Sequence, residues 1–120
     1  LETFTDKNSL MFIVRNVVNN SIKFTHTGGE VKVMAAIVEN DHIKVSVIDN
    51  GIGMDQTAAL KIFYISSKTT KSGTAGEKGT GLGLILCKEF ALRNKAKIWV
   101  ESEPERGSAF HILFPQGRIA

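Results

Sequence analysis

The stretch GEKGTGLGLIL, Gly76 to Leu86, sets glycines at 76, 79, 81 and 83 immediately ahead of an apolar run. Glycine gives up more backbone freedom on folding than any other residue, so an ordered segment this rich in it is costly. The usual reasons are a positive φ or the close approach of another group to the backbone. That group could be phosphate, a dinucleotide or another strand. Two familiar phosphate motifs fail on spacing. A P-loop needs a glycine directly before its lysine, but Glu77 precedes Lys78. A dinucleotide fingerprint reads GxGxxG after a strand, whereas Gly79, Gly81 and Gly83 read GxGxG after a loop. What survives is a general device: unpaired N–H groups at a helix N-terminus, with the helix dipole, facing an anion.

Working outward, Leu82 to about Arg93 is the helix that the glycines precede. Residues 65–80 (ISSKTTKSGTAGEKGT) have no apolar period and read as a long mobile loop, in which Lys68, Lys71 and Lys78 gather. A loop of that length inside a compact domain is usually functional. Near the start, Asp6 can cap a helix running to about Phe24, with Leu10, Ile13, Val14, Val17 and Val18 as its buried stripe. HTGGE (26–30) is a turn. VKVMAAIVEN and HIKVSVID alternate as strands around a hairpin turn at END (39–41). NGIG (50–53) ends the second strand, and a short helix follows from about Gln56 to Phe63. KIWVES and SAFHILF close the chain as a hairpin around EPERG. This order predicts an α+β two-layer sandwich: a mixed, mostly antiparallel sheet of about four to five strands, covered on one face by about three helices.

The bulk numbers narrow the function. With 120 residues, 42% hydrophobic and 22% charged, residues 1–120 form one globular domain. Two prolines and no low-complexity block exclude a disordered class. No apolar stretch approaches the roughly 20 residues of a membrane span, and no signal peptide is recognisable, so no direct membrane contact is expected. The net charge of +3 comes without a dense run of Lys and Arg, so no nucleic-acid partner is expected. The single cysteine, Cys87, makes no internal disulfide, fits a reducing compartment, and reads as a small buried residue. His26, His42 and His111 fall in a turn, a hairpin and a strand, where ordinary surface or core roles are expected.

Two clusters carry chemistry. Asn16, Asn20 and Lys23 follow i, i+4, i+7 on the first helix and share an arc roughly 60° wide. Carboxamides and an ammonium on one face suit an anion with a hard cation: an Asn carbonyl oxygen ligates Mg²⁺, and Lys places a point charge on phosphate. A solvated face is the plainer alternative. In VIDNGIGMD (47–55), Asp49 closes a strand ahead of glycines that let a ligand approach. An ionised carboxylate only accepts hydrogen bonds, which suits an amino group such as that of adenine. A simple DNG turn is the alternative there, while a calcium loop is disfavoured because Gly51 and Gly53 stand where oxygen ligands would be needed.

Taken in order, these motifs resemble the ATP-binding catalytic domain of sensor histidine kinases, within the GHKL ATPases that share the Bergerat fold. NVVNNSIKFT is similar to the family's asparagine box, DNGIGM to its first glycine box, KIF to its phenylalanine box and GTGLGL to its second glycine box. The resemblance runs from about Thr5 to Pro115 and implies ATP and Mg²⁺ as cofactors. It implies Asn20 as the Mg²⁺ ligand, Lys23 on the phosphates, Asp49 on the adenine amino group, and Asn16, Asn20 and Lys23 as the catalytic set. The implied ATP-binding set is Asn20, Lys23, Phe24, Asp49, Gly51, Ile52, Gly53, Met54, Phe63, Lys68, Lys78, Gly79, Thr80, Gly81, Leu82, Gly83 and Ser108. Residues 65–80 would be the lid over ATP, hinged at Gly79, Gly81 and Gly83.

Within that superfamily the hydrolysing members place a Glu one turn before the magnesium-binding Asn. Here the position is Asn16, and an amide has no useful basicity for activating water. The resemblance therefore implies phosphoryl transfer to a histidine on a dimerisation module of the same parent, with a response regulator receiver domain downstream, in the cytoplasm. The alternatives are an anti-sigma-type Ser/Thr kinase and a non-catalytic ATP-binding module. Two departures stand out. The turn before KIWV reads NKAK where the family has two glycines, so Asn94 is expected to take the left-handed conformation. The family's further upstream strand and its phosphoacceptor histidine are not in residues 1–120, as expected of a piece of a longer protein.

Overall fold

The alternation of residues 31–49 and 97–114 is realised as four strands. The computed structural model describes residues 4–5, 7–64, 83–115 and 118–119. In chain order these form β1 (Phe4–Thr5), α1 (Lys7–Lys23), β2 (Val31–Ile37), β3 (Ile43–Asp49), α2 (Gln56–Lys61), α3 (Gly83–Arg93), β4 (Lys97–Glu103), β5 (Gly107–Phe114) and β6 (Arg118–Ile119). β2, β3, β5 and β4 lie side by side in that order, each pair antiparallel. The parallel component lies apart, in the two-residue pairing of β1 with β6. Asp6, the expected cap of α1, and residues 65–82 fall outside the described residues. Between β2 and β3, Asn40 (φ 60) and Asp41 (φ 59) take the left-handed turn that Asn and Asp tolerate best.

The period of each element decides what it buries. On α1, Ile13 and Val17 are fully buried, with Leu10 and Val18 packed against the same core. On α3, Leu84, Cys87 and Ala91 recur at helical spacing and meet them. Every second residue of β5, Phe110, Ile112 and Phe114, points into this layer beside Val47 and Ile98. Phe63 joins them, its ring edge-on to Phe110 at 6.1 Å. The expected helix over 56–63 stops at Lys61, because Phe63 turns inward; Asp55 caps its start by accepting from the Ala58 N–H at 2.8 Å.

The opposite sheet face carries one buried polar residue, His111. Its Nδ1 is 2.8 Å from the Ser46 hydroxyl, its Nε2 lies 2.8 Å from a Glu101 carboxylate oxygen without well-directed hydrogen-bond geometry, and Trp99 tilts over the ring at 5.2 Å. These residues sit on neighbouring strands and tie β3, β5 and β4 together.

The end of α3 corrects one expectation: the left-handed residue is Lys95 (φ 58), not Asn94. The Ala96 N–H donates to the Ala91 carbonyl at 2.8 Å and the Lys95 N–H to the Leu92 carbonyl at 3.2 Å, the two bonds of a Schellman motif. In that motif the left-handed position falls one residue past Asn94, whose side chain instead donates to the Phe90 carbonyl at 2.8 Å. A side chain at a left-handed position costs about 1–2 kcal/mol. Lys95→Gly is therefore expected to stabilise the domain by about 0.5–1 kcal/mol once the added freedom of the unfolded chain is counted, read as a rise of a few degrees in melting temperature. A fall would show that the lysine side chain contributes more than its backbone strain costs.

Cys87 is wholly buried, and burial pushes its thiol pKa up to about 12. The native thiol stays protonated while an unfolded one ionises near its ordinary value, so this stabilisation is complete below about pH 8.5 and is lost as pH rises towards 12. At pH 8 the folded domain is expected to resist a thiol-reactive reagent that labels it at once in denaturant. Rapid labelling of the native domain would contradict the burial.

Candidate functional site

The strand register brings Asp49, Ser108 and Ser102 into one row across β3, β5 and β4. Asp49 is buried, and its Oδ1 accepts from the Gly51 N–H at 2.9 Å and the Ser108 N–H at 3.2 Å. Among the described residues its Oδ2 receives no hydrogen bond. The Ser102 hydroxyl accepts from the Met54 N–H at 2.8 Å, reaches the Gly107 carbonyl at 2.9 Å and lies 2.7 Å from the Ser108 hydroxyl. The Ile52 N–H donates to the Phe24 carbonyl at 3.0 Å, and the Glu105 N–H to the Ile52 carbonyl at 2.6 Å. The segment after Asp49 is thus sewn on one side to the end of α1 and on the other to the β4–β5 turn.

The glycines of that segment serve this stitching. A side chain on Gly51 would collide with the Phe24 carbonyl. Gly53 has φ +67, and a side chain there would meet the Glu103 carbonyl. The approach that excludes larger residues is therefore that of protein backbone.

The last glycine of the opening stretch has a similar reason. A Cβ on Gly83 would lie 2.6 Å from the Asn16 carboxamide oxygen, so α3 starts flush against α1. Asn16 is further held by its Nδ2, which donates to the Phe12 carbonyl at 2.8 Å. Asn20, one turn later and half-buried, has no side-chain hydrogen bond among the described residues. The Lys23 ammonium lies 4.8 Å from the centre of the Phe24 ring.

Of the residues expected from sequence, Phe24, Asp49, Gly51, Ile52, Met54 and Ser108 come together in one hydrogen-bonded cluster, with Gly53 inside it and Asn20 and Lys23 on the adjoining turn of α1. Asn16 and Gly83 meet at the α1–α3 contact. Phe63 belongs to the core. Lys68, Lys78, Gly79, Thr80, Gly81 and Leu82 lie outside the described residues. Ser102 was not anticipated; only the β4–β5 register, which sets it opposite Ser108, could have pointed to it. A cleft of about 1000 Å³ along β4 reaches Asp49 and Ser108 but includes no residue of α1, so it adjoins the cluster without containing it.

The site thus sets a buried, oriented carboxylate at a strand end beside a helix that offers carboxamide and ammonium groups, on an α+β domain. Residues 5–118 match the histidine kinase-, DNA gyrase B-, and HSP90-like ATPase family, and the chain belongs to it. Adaptive-response sensory kinase SasA of Prochlorococcus marinus strain MIT 9313 is 30% identical over 114 residues, which cover 95% of this chain and 30% of that protein. Sporulation kinase E of Bacillus subtilis is 33% identical, with 93% of this chain and 14% of that protein covered. The chain thus spans less than a third of the curated relatives it matches. Among solved structures, the mycobacterial sensor histidine kinase MprB superposes with a TM-score of 0.75 at 26% identity, covering 92% of this chain and 72% of that one. Full-length ShkA in complex with AMPPNP gives 0.72 at 27% identity, covering 89% and 21%.

Gly53→Ala adds strain at a left-handed position, about 1–2 kcal/mol, and a collision with the Glu103 carbonyl. The expected total is at least about 2 kcal/mol of lost stability, measured by denaturant unfolding. A change near zero would mean that the Gly53 segment is not fixed against the β4–β5 turn.

Proposed function

We propose that this domain binds Mg²⁺-ATP and passes the γ-phosphoryl group to a histidine on a separate dimerisation module of its parent protein, in the cytoplasm, with a response regulator receiver domain as the next acceptor. The observation that carries the reading is the Asp49 carboxylate. Burial of a charge demands partners; one oxygen takes two backbone N–H groups, and the other is left for a donor from outside the described residues. The exocyclic amino group of adenine is such a donor, whereas guanine would bring a carbonyl oxygen against the carboxylate. The family match and the kinase relatives support the same nucleotide, as does the AMPPNP held by ShkA.

The chemistry of α1 fits the triphosphate end. The Asn20 side chain, without a protein hydrogen bond among the described residues, would offer its Oδ1 to Mg²⁺, and Lys23 would face phosphate. When bound, the cation neutralises charge on the phosphate oxygens. Lys68, Lys78, Thr80, Leu82 and the glycines at 79, 81 and 83 would complete that end.

Asn16 gives the site its restraint. Its Nδ2 is committed to the Phe12 carbonyl and its oxygen to the face of Gly83. An amide there abstracts no proton, so ATP is held and water is not activated. The domain's contribution to transfer is then positioning and charge neutralisation, and the base for the acceptor comes from the acceptor module.

Calorimetric titration with AMPPNP and Mg²⁺ tests the reading. Asp49→Asn, which can present a donor to a donor, is expected to weaken binding at least about tenfold, or about 1.4 kcal/mol. ATP with Mg²⁺ at about 100 times its dissociation constant is expected to add about 2.7 kcal/mol to wild-type stability. No thermal shift at millimolar ATP would remove the nucleotide reading, and unchanged affinity in Asp49→Asn would remove Asp49 from the adenine pocket.

A further inference from the structure

Asn50 follows the buried carboxylate of Asp49, yet it is exposed and lines no part of the cleft beside it. An asparagine placed there only for its turn preference would leave its side chain in water. Instead, backbone and side chain both grip Glu30, at the entrance to β2. The Asn50 N–H donates to the Glu30 carbonyl at 3.2 Å, and the Glu30 N–H donates to the Asn50 Oδ1 at 2.8 Å. Val31 pairs with Asp49, so Glu30 and Asn50 are the next rung of the β2–β3 ladder. The carboxamide oxygen takes the bond that the Asn50 carbonyl would take if the strand continued. The ladder gains a rung while the backbone turns away into Gly51.

Glu30 in turn closes the connection from α1 to β2. Within it the Gly29 N–H donates to the His26 carbonyl at 2.7 Å, and Gly28 has φ +89. A Cβ on Gly29 would collide with the Thr25 side chain and stand 2.9 Å from the Asn50 Oδ1, so the Asn50 side chain lies flush against this turn. The turn starts directly after Lys23 and Phe24, and the Thr25 hydroxyl donates back to the Ser21 carbonyl at 2.6 Å. Asn50 therefore joins the strand end that carries Asp49 to the end of α1 that carries Asn20 and Lys23. The Ile52 N–H on the Phe24 carbonyl is a further fastening between the same two parts. Of the two, the Asn50 clamp is made by a side chain, so a substitution can remove it.

We propose that Asn50 is a positioning residue: by clamping the α1–β2 turn, it sets the offset between the base end of the site at Asp49 and the phosphate end at Asn20 and Lys23. The inference rests on the nucleotide reading above and deepens it. In this role Asn50 touches no atom of the nucleotide and acts through the turn. A triphosphate that must reach both ends gains from the second only where the first already holds it at the right place, and small misplacements are costly. A ligand that reaches the base end alone gains nothing from the clamp. Adenosine is such a ligand.

The test measures two affinities for each protein: AMPPNP with Mg²⁺ by calorimetric titration, and adenosine by its displacement of AMPPNP. Asn50→Ala, which lacks the clamping oxygen, is expected to bind AMPPNP about three- to tenfold more weakly while its adenosine affinity stays within about twofold. Asn50→Asp keeps an acceptor for the Glu30 N–H and is expected to hold AMPPNP within about twofold of wild type. Gly29→Ala, which wedges a methyl group between Thr25 and Asn50, is expected to give the same split from the other side of the clamp. A merely structural asparagine would lower the melting temperature and leave the ratio of AMPPNP to adenosine affinity alone. An unchanged ratio in either variant that folds would overturn the assignment, as would an Asn50→Asp protein as weak as Asn50→Ala; both results leave the nucleotide site in place. Failure of the wild-type domain to bind AMPPNP would remove the nucleotide reading itself, and this assignment with it.

Discussion

Two backbone N–H groups, those of Gly51 and Ser108, converge on a single oxygen of Asp49. That convergence exists only because β3 pairs with β5 so that Asp49 stands opposite Ser108. The same register sets Val47 opposite Phe110 and Val45 opposite Ile112, the pairs that build the core. A slip of one residue would carry the apolar set to the open face and turn Asp49 out with it. The hydrophobic alternation that folds the sheet is therefore also what aims the carboxylate. The orientation of Asp49 needs no separate positioning device.

This coupling explains how much was legible in the sequence. The α1 stripe at Ile13 and Val17 and the alternation of Val31–Ile37 and Gly107–Phe114 are local patterns, and the elements appear where those patterns lie. The DNG segment announced a special backbone, and the structure puts the end of α1 and the β4–β5 turn against it. What the sequence hid depends on partners far along the chain. Ser102 acquires its role from Met54, 48 residues away, and Gly83 meets Asn16 across the α1–α3 contact. The β1–β6 pairing joins two-residue strands from opposite ends of the chain, too short to leave a periodic signal. Asn94 and Lys95 differ for a subtler reason: composition favours Asn at a left-handed site, but the hydrogen-bond count of the Schellman motif assigns the place to the next residue.

The glycines also change meaning once their neighbours are known. Gly51 admits the end of α1, Gly53 the β4–β5 turn, and Gly83 the side chain of Asn16. Each is a point of close contact within the chain. Those at Gly51 and Gly53 fix the backbone that follows Asp49 as part of folding.

Seen this way, the polar groups that the fold does not satisfy are informative. Most buried polar atoms in a folded domain find partners, and exceptions cluster where a protein meets something else. Among the described residues the buried side-chain atoms without a hydrogen-bond partner are the Oγ of Ser21, under the sheet-facing side of α1, and the Nε2 of His111, on the opposite face of the sheet. Asn20 and Ser21 are adjacent on α1, and the Phe24 carbonyl one turn on is bonded to the segment that Asp49 begins. The satisfied bonds tie the segment after Asp49 to the end of α1 and to the β4–β5 turn.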